Sequence, residues 1–309
     1  MKTVIAAVIC GFFFIATYAQ DTTVIIDNQK ITLPEVVVHN NMDYLAILQR
    51  IQNDTSFYKA FRSLHLVEFK SYNDIRVLNK DGSPKATWSS VTEQKRDTGC
   101  RTTNVVSQQT TGDFFDSKGN YNYTTGEMYA SIFLSRGKVC GETNIVSGRS
   151  FTTSHKSGME KHKEQLKMLF FNPGKKIPGI PFIGDKLDLY DDRAHKLYDY
   201  KLEFTDYKGS YAYVFTIKPK SDLGFFERDD IVVDEMTTWF DYKTLEVLAR
   251  NYSLSYKAGM YDFDVSMKVE MTRVRGMLIP QIMRYKGNFG VLLKKRERGE
   301  FTATLSDFR

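Results

Sequence analysis

Between Tyr261 and Val274 the sequence alternates without a break: Phe263, Val265, Met267, Val269 and Met271 take every second position, and Asp262, Asp264, Ser266, Lys268 and Glu270 fill the gaps. Side chains of a strand point alternately to its two faces, so this stretch lays an apolar row on one side of a sheet and a mostly charged row on the other. A sheet that is apolar on one face only is antiparallel and has something lying over that face. Two arrangements satisfy the pattern: a closed core, or a concave surface that accepts an apolar ligand. Which of the two this chain builds decides what it can do.

The sequence on either side supplies more strands. Leu197–Thr205 and Tyr211–Lys218 flank an Asp206-Tyr207-Lys208-Gly209 turn, Ile231–Asp241 and Thr244–Tyr256 precede the alternating stretch, and Leu278–Tyr285, Phe289–Lys294 and Gly299–Asp307 follow it. Short turns between neighbours predict an antiparallel meander, strongly curved if it stays in one sheet, with Pro280 at an edge or a bulge.

Upstream, Val24-Ile25-Ile26 and Val36-Val37-Val38 are β-prone runs separated by Pro34. Tyr44, Leu45, Ile47, Leu48 and Ile51 share a helical face over Met42 to about Gln52, with Asn41 or Asp43 placed as N-cap, and a turn or short helix follows through Phe57, Tyr58 and Phe61. Leu64–Leu78 returns to β character, and Asp81-Gly82-Ser83-Pro84 marks a turn before a strand around Trp88. From Asp97 to Asn144 the chain is polar, and its β-prone pieces near Val105-Val106 and Tyr129–Phe133 read as strands with long loops.

A second amphipathic helix spans Met159–Phe171, where Met159, His162, Leu166, Leu169 and Phe170 share a face and Asn172-Pro173-Gly174 stops it. The Pro- and Gly-rich apolar run from Lys176 to Gly184 cannot be a regular helix; it caps the core or covers the mouth of a cavity. The fold class is therefore α+β, mainly β, with a one-faced curved sheet and two amphipathic helices.

Lys2 followed by the apolar run Val4–Ile15 and by Ala19 has the layout of a secretory signal peptide over 1–19, an uncleaved anchor being the alternative. The exported remainder, 20–309, shows no repeat, low-complexity tract or linker and is expected to form one domain. Its two thiols, Cys100 and Cys140, read as a disulfide in an oxidising compartment; they lack the Cys-x-x-Cys spacing of a redox or metal pair. The formal net charge of +6 is mild, and its densest basic patch, Lys294-Lys295-Arg296 with Arg298, is interrupted by Glu297 and Glu300. A solvated strand end accounts for it; contact with an anionic membrane surface is the functional alternative, and no nucleic-acid partner is expected.

Tyr198-Asp199-Tyr200-Lys201-Leu202, the hairpin into Tyr213-Val214-Phe215-Thr216-Ile217-Lys218-Pro219-Lys220, and Thr238-Trp239-Phe240-Asp241 followed by Leu245-Glu246-Val247 are similar to the strand order and phrasing of periplasmic lipoprotein carriers of the outer-membrane lipoprotein-sorting type. They also resemble a segment of exported Bacteroidetes proteins of unknown function. The resemblance covers roughly 185–309. It implies an open half-barrel whose concave apolar side receives acyl chains beneath helices acting as a lid, in the periplasm or at the outer membrane. The extra N-terminal strands and the Ile177–Ile183 loop depart from the carriers, and no ligand-contacting residue of theirs maps onto a motif here.

No nucleophile with its base, metal cluster, P-loop or dinucleotide fingerprint is visible, so neither a catalytic residue nor a cofactor is expected. His155 and His162 lack ligand partners at zinc spacing, and Glu227-Arg228-Asp229-Asp230 lacks the order of a calcium loop. Asp191, Asp192 and His195 hint at an acid–base or metal site, but a charged turn before the Leu197 strand is the better explanation. Met260, Met267, Met271, Met277 and Met283 cluster in neighbouring strands, where thioethers suit either a core or a ligand surface.

The expected function is non-enzymatic: binding or carrying an apolar ligand or lipidated protein, with Trp239, Phe263, Val265, Met267, Val269 and Met271 lining the cavity and Phe170, Phe171 and Ile180 covering it. The alternative is a structural or assembly module of the envelope with a fully packed core. A pocket of a few tens of cubic ångströms, instead of a few hundred, favours that alternative. A third possibility is an enzyme whose groups, Asp191, Asp192 and His195 among them, converge from a distance.

Overall fold

The computed structural model describes residues 22–26, 29–33, 44–146, 170–171, 173–176, 183–258, 261–291 and 296–309. Outside the described residues lie the expected leader, Val36–Val38, the N-cap candidates Asn41 and Asp43, residues 159–169 of the second amphipathic helix, and Ile180 with most of its loop. His155, Met260, Lys294 and Lys295 lie outside them too.

A hairpin of β1 (Thr22–Ile26) and β2 (Gln29–Leu33) comes first, followed by helices α1 (Tyr44–Gln52) and α2 (Ser56–Leu64). Then come β3 (Phe69–Leu78), β4 (Pro84–Asp97), β5 (Cys100–Thr111), α3 (Thr124–Phe133) and β6 (Val139–Cys140). After α4 (Asp192–Leu197) the chain forms β7 (Tyr198–Tyr207) and β8 (Ser210–Pro219), the short α5 (Phe225–Arg228), and β9 (Val233–Asp241). It ends in β10 (Val247–Ala258), β11 (Tyr261–Val274), β12 (Met277–Val291) and β13 (Glu297–Ser306).

Among the described residues eleven strands form one antiparallel sheet in the order β6-β5-β4-β3-β13-β12-β11-β10-β9-β8-β7. Its outermost strands, β6 and β7, do not pair with each other, so the sheet is an open half-barrel of the kind the sequence resemblance implied. The meander from β7 to β13 is consecutive, and the one long-range junction is the seam where β13 pairs with β3, matching Phe301 to Ile75 and Ala303 to Asn73. Tight X-Gly turns join several neighbours. Lys208-Gly209 and Arg275-Gly276 both hold positive φ at each central residue (55° and 83°, 51° and 75°), the twist that lets right-handed strands continue through a two-residue turn.

The alternation in β11 is realised as expected. Phe263, Met267 and Val269 are buried and Val265 and Met271 partly so, whereas Asp264 and Lys268 are exposed. On the charged outer face Glu270 holds Lys208 (2.5 Å) and Arg284 (3.2 Å), and Asp262 pairs with Arg296. On the inner face lie α2, α3 and Phe170, which bury Phe57, Phe61, Leu64, Tyr129, Ile132 and Phe133 against Phe301 and Tyr285. One buried charge pair anchors the helices: Arg250, on the inward row of β10, meets Asp54 at 3.6 Å, donates to Thr238 Oγ1 and lies over the Phe57 ring.

Three expectations need correction. Tyr129–Phe133 is not a strand but the second half of α3. Thr125, Tyr129, Ile132 and Phe133 are buried at helical spacing, and the first turn finds an acceptor in Glu297 of β13 (Thr124 N–H 2.9 Å, Thr125 N–H 2.7 Å). Leu278–Tyr285 and Phe289–Lys294 are not two strands but parts of the single long β12 through Val291. Gly287, between the two runs, makes room for the Tyr285 ring folded across it. Trp239 points to the outer face, as described below. Pro280 sits where expected, beside a bulge in the β11–β12 register.

Candidate functional site

The inward rows of β10, β11 and β12 meet in register: Tyr252 opposite Met267, Leu254 opposite Val265, and Tyr285 and Phe289 opposite Met267 and Phe263. Over them, Thr124 and Met128 of α3 and the ring of Phe170 leave a cleft of about 60 Å³. Its walls are almost wholly apolar. The hydroxyls of Tyr252 and Tyr285 stay neutral, because burial pushes both far above the ordinary tyrosine value. Tyr252 donates to the Phe170 carbonyl at 2.9 Å and fixes the covering residue to the sheet. Tyr285 stacks on Phe301 (5.1 Å between centroids, 20° between planes). Gly299 lets α3 come close: a Cβ there would collide with Thr125, whose hydroxyl donates to Glu297 Oε1 at 2.5 Å.

Of the residues expected to line a cavity, Phe263, Val265 and Met267 are brought together here with Phe170. Val269 and Met271 share the inward row but sit farther along the strand. Phe171 faces away from the cleft, into a second cavity. Trp239 lies on the convex face beside Tyr207 (5.6 Å), because Met236, Thr238 and Phe240 occupy the inward positions of β9 and parity leaves Trp239 outside.

The second cavity, about 230 Å³, lies between α2, α3, Phe171 and the segment after β6. Tyr58, Phe61, Leu64, Ile132, Phe133 and Phe171 form its apolar walls, and Arg62, His65, Glu142 and Thr143 its rim. Burial alone would raise the Glu142 carboxyl. Hydrogen bonds and positive charge from His65 (3.0 Å) and Arg101 (2.6 and 3.1 Å) instead hold it down at about 2. The Cys100–Cys140 disulfide, two residues before Glu142, pins this rim and shows that the two thiols are paired. Nothing in the sequence brings Arg62 and His65 to Glu142; the nearness of Cys140 is the only signal.

The acid–base hint at Asp191, Asp192 and His195 resolves into a helix start. Asp191 caps α4 by accepting from Ala194 N–H at 2.7 Å, and His195 packs against Tyr200 with its Nδ1 buried and without a partner among the described residues. Burial holds its pKa below the ordinary histidine value. Glu227 caps Gly224 N–H (2.8 Å) and Asp230 pairs with Lys186 (2.7 Å), so that acidic run is spent on its own loop. No group of three or more metal-ligating side chains gathers among the described residues, and none of their helices is long and apolar enough to cross a membrane.

No family model matches the sequence, and no curated protein does. Among solved structures, a DUF1329 family protein from Desulfovibrio piger matches over 82% of this chain and 93% of its own at 13% identity, with a TM-score of 0.25. An outer membrane lipoprotein-sorting protein domain from Vibrio parahaemolyticus matches over 85% and 90% at 11% identity, with a TM-score of 0.27. At such scores neither superposition carries an argument, and the half-barrel rests on the strand order described above. Neither structure bears on the resemblance to Bacteroidetes proteins.

Proposed function

We propose that this is a non-enzymatic exported protein, of the periplasm or the outer-membrane surface, that binds or carries an apolar, acyl-chain-like ligand on the concave side of its half-barrel. The observation that carries the reading is the uncharged cleft formed by Tyr252, Leu254, Phe263, Val265, Met267, Tyr285 and Phe289 under a cover made of one helix end and one ring. The disulfide fits an oxidising compartment. A cleft of about 60 Å³ is well below the roughly 300–1,000 Å³ of ligand pockets, so loading requires α3 or the Phe170 segment to move away from the sheet.

Organic extraction of the purified protein followed by lipid mass spectrometry, with displacement of a fluorescent fatty acid as a second measure, tests this. Bound or exchangeable lipid is the expected result. A chain that neither carries nor takes up lipid is not a carrier. The small cleft volume favours a second reading, an envelope assembly module with a filled core, and that negative result would select it.

A further inference from the structure

We propose that the cavity between α2, α3, Phe171 and the segment Glu142–Thr143 is a separate binding site for a small amphipathic carboxylate, with its apolar body against Phe61, Phe133 and Phe171 and its carboxylate on Arg62. The size fits. A cavity of about 150 Å³ lined by aliphatic and aromatic side chains accepts benzene, and at about 230 Å³ this one has room for a six-membered ring and a short polar arm. Its floor is already a ring-lined surface: Phe61 and Phe171 meet edge to face at 4.9 Å, and Phe133 lies 6.5 Å from Phe61.

The rim chooses the sign of the guest. Glu142 is saturated by Arg101 and His65, and so does not neutralise Arg62. Arg62 spends only its Nε, on the Thr143 carbonyl at 2.8 Å, and no described residue engages its two terminal nitrogens. Arg96 comes close as well, donating to the His65 carbonyl at 2.5 Å, while Glu68 accepts from its backbone N–H. Arg62 is the only arginine among the described residues that line the cavity, and the side of its guanidinium left open presents parallel N–H groups, the arrangement that binds a carboxylate through two bonds. The unspent end of Arg62 and the ring-lined floor together select an anion with an apolar body over a neutral hydrocarbon or a bare ion.

The site is independent of the concave cleft. Phe170 belongs to the cleft and Phe171 to this cavity, and Phe61, Phe133 and Phe170 stand between them at 6.1–6.5 Å ring to ring. Calorimetry on the full chain with 3-phenylpropionate and its neutral amide provides the test, together with methyl NMR of the same titrations. The acid is expected to bind at least about tenfold more tightly than the amide, the effect of one charge-assisted hydrogen bond. It should shift the methyls of Leu64 and Ile132 while leaving those of Leu254 and Val265 in place.

Arg62→Met, at a partly exposed position, should lower the affinity for the acid by about tenfold and erase the preference over the amide. Ile132→Trp, checked for an unchanged melting curve, should remove binding of both. Equal affinity for acid and amide, an Arg62→Met protein that binds the acid as well as the parent, shifts confined to Leu254 and Val265, or no heat at millimolar probe would each overturn the assignment. None of these outcomes depends on whether the concave cleft carries lipid.

Discussion

The two halves of the inner face are built from different materials. Under β10–β12 the inward row is mostly apolar: Tyr252, Leu254, Met267, Val269, Met283 and Tyr285 pack by contact with one tyrosine hydroxyl bond, and the Arg250–Asp54 pair closes one end of the row. Under β3–β5 it turns polar. Asn73 takes hydrogen bonds from Tyr129 and Ser71 (both 2.5 Å) and gives them to Ser90 and Thr92 (both 3.2 Å), while Gln94 donates to the Leu64 and Val67 carbonyls and accepts from Arg101. Directional bonds specify one arrangement and penalise any other, because each partner set loose in the interior stays desolvated. Apolar surfaces slide and repack at low cost. The polar half is thus a fixed frame that holds α3 and the disulfide segment, and the apolar half is where repacking costs least.

The difference can be broken most forcefully on the polar side. Replacing both Cys100 and Cys140 by serine should lower stability by about 3–4 kcal/mol, the value expected for a loop of this length, measured by urea unfolding. A loss below about 1 kcal/mol would mean that the frame does not need its staple. Asn73→Ala, which strips several buried hydroxyls of their partner at once, should cost about 2–3 kcal/mol.

On the apolar side Met267→Leu, a swap of similar volume at a position 1% exposed, should cost less than about 1.5 kcal/mol. If it matched Asn73→Ala, the supposed plasticity of this half would be wrong. A further test is in pH. The Glu142 carboxyl titrates lower when folded (about 2) than unfolded (4.5), so its contribution is complete above pH 4.5 and fades as the pH falls toward 2. Acid titration of the parent and of Glu142→Gln should show a shallower loss for the variant across that window. His195 works in the same direction at higher pH. Its folded value lies below that of the free side chain, so stability is full above the ordinary histidine range and declines as acid charges the unfolded chain first.

The apolar half was the legible one. Period-two alternation in β11 and the X-Gly turns are local signals, and they suffice to predict the meander and the wet outer face; the disulfide follows separately, from two thiols in a chain with an expected export leader. The polar frame was not legible, because Asn73, Ser90 and Thr92 look like ordinary strand residues until α3 brings Tyr129 onto them. Tyr129–Phe133 has β-prone composition. What makes it a helix is a carboxylate from β13, a partner distant in sequence. Trp239 was misplaced for a related reason. Large aromatic residues favour interiors, but strand parity follows whichever neighbours are pinned, and Thr238, tied to Arg250, is pinned inward. The rim of Arg62, His65 and Glu142 exists only after two long-range pairings.

The junction of β13 with β3 has a bearing on how the molecule comes into being. The ribbon β3–β6 is synthesised long before its partner strand and must wait with an unpaired edge until β13 emerges, so zipping of the two halves is a late, high-contact-order event. A nascent chain in that interval presents an open strand edge to its neighbours, and binding by a holdase chaperone or aggregation at high expression is the expected cost of joining first and last strands in mid-sheet.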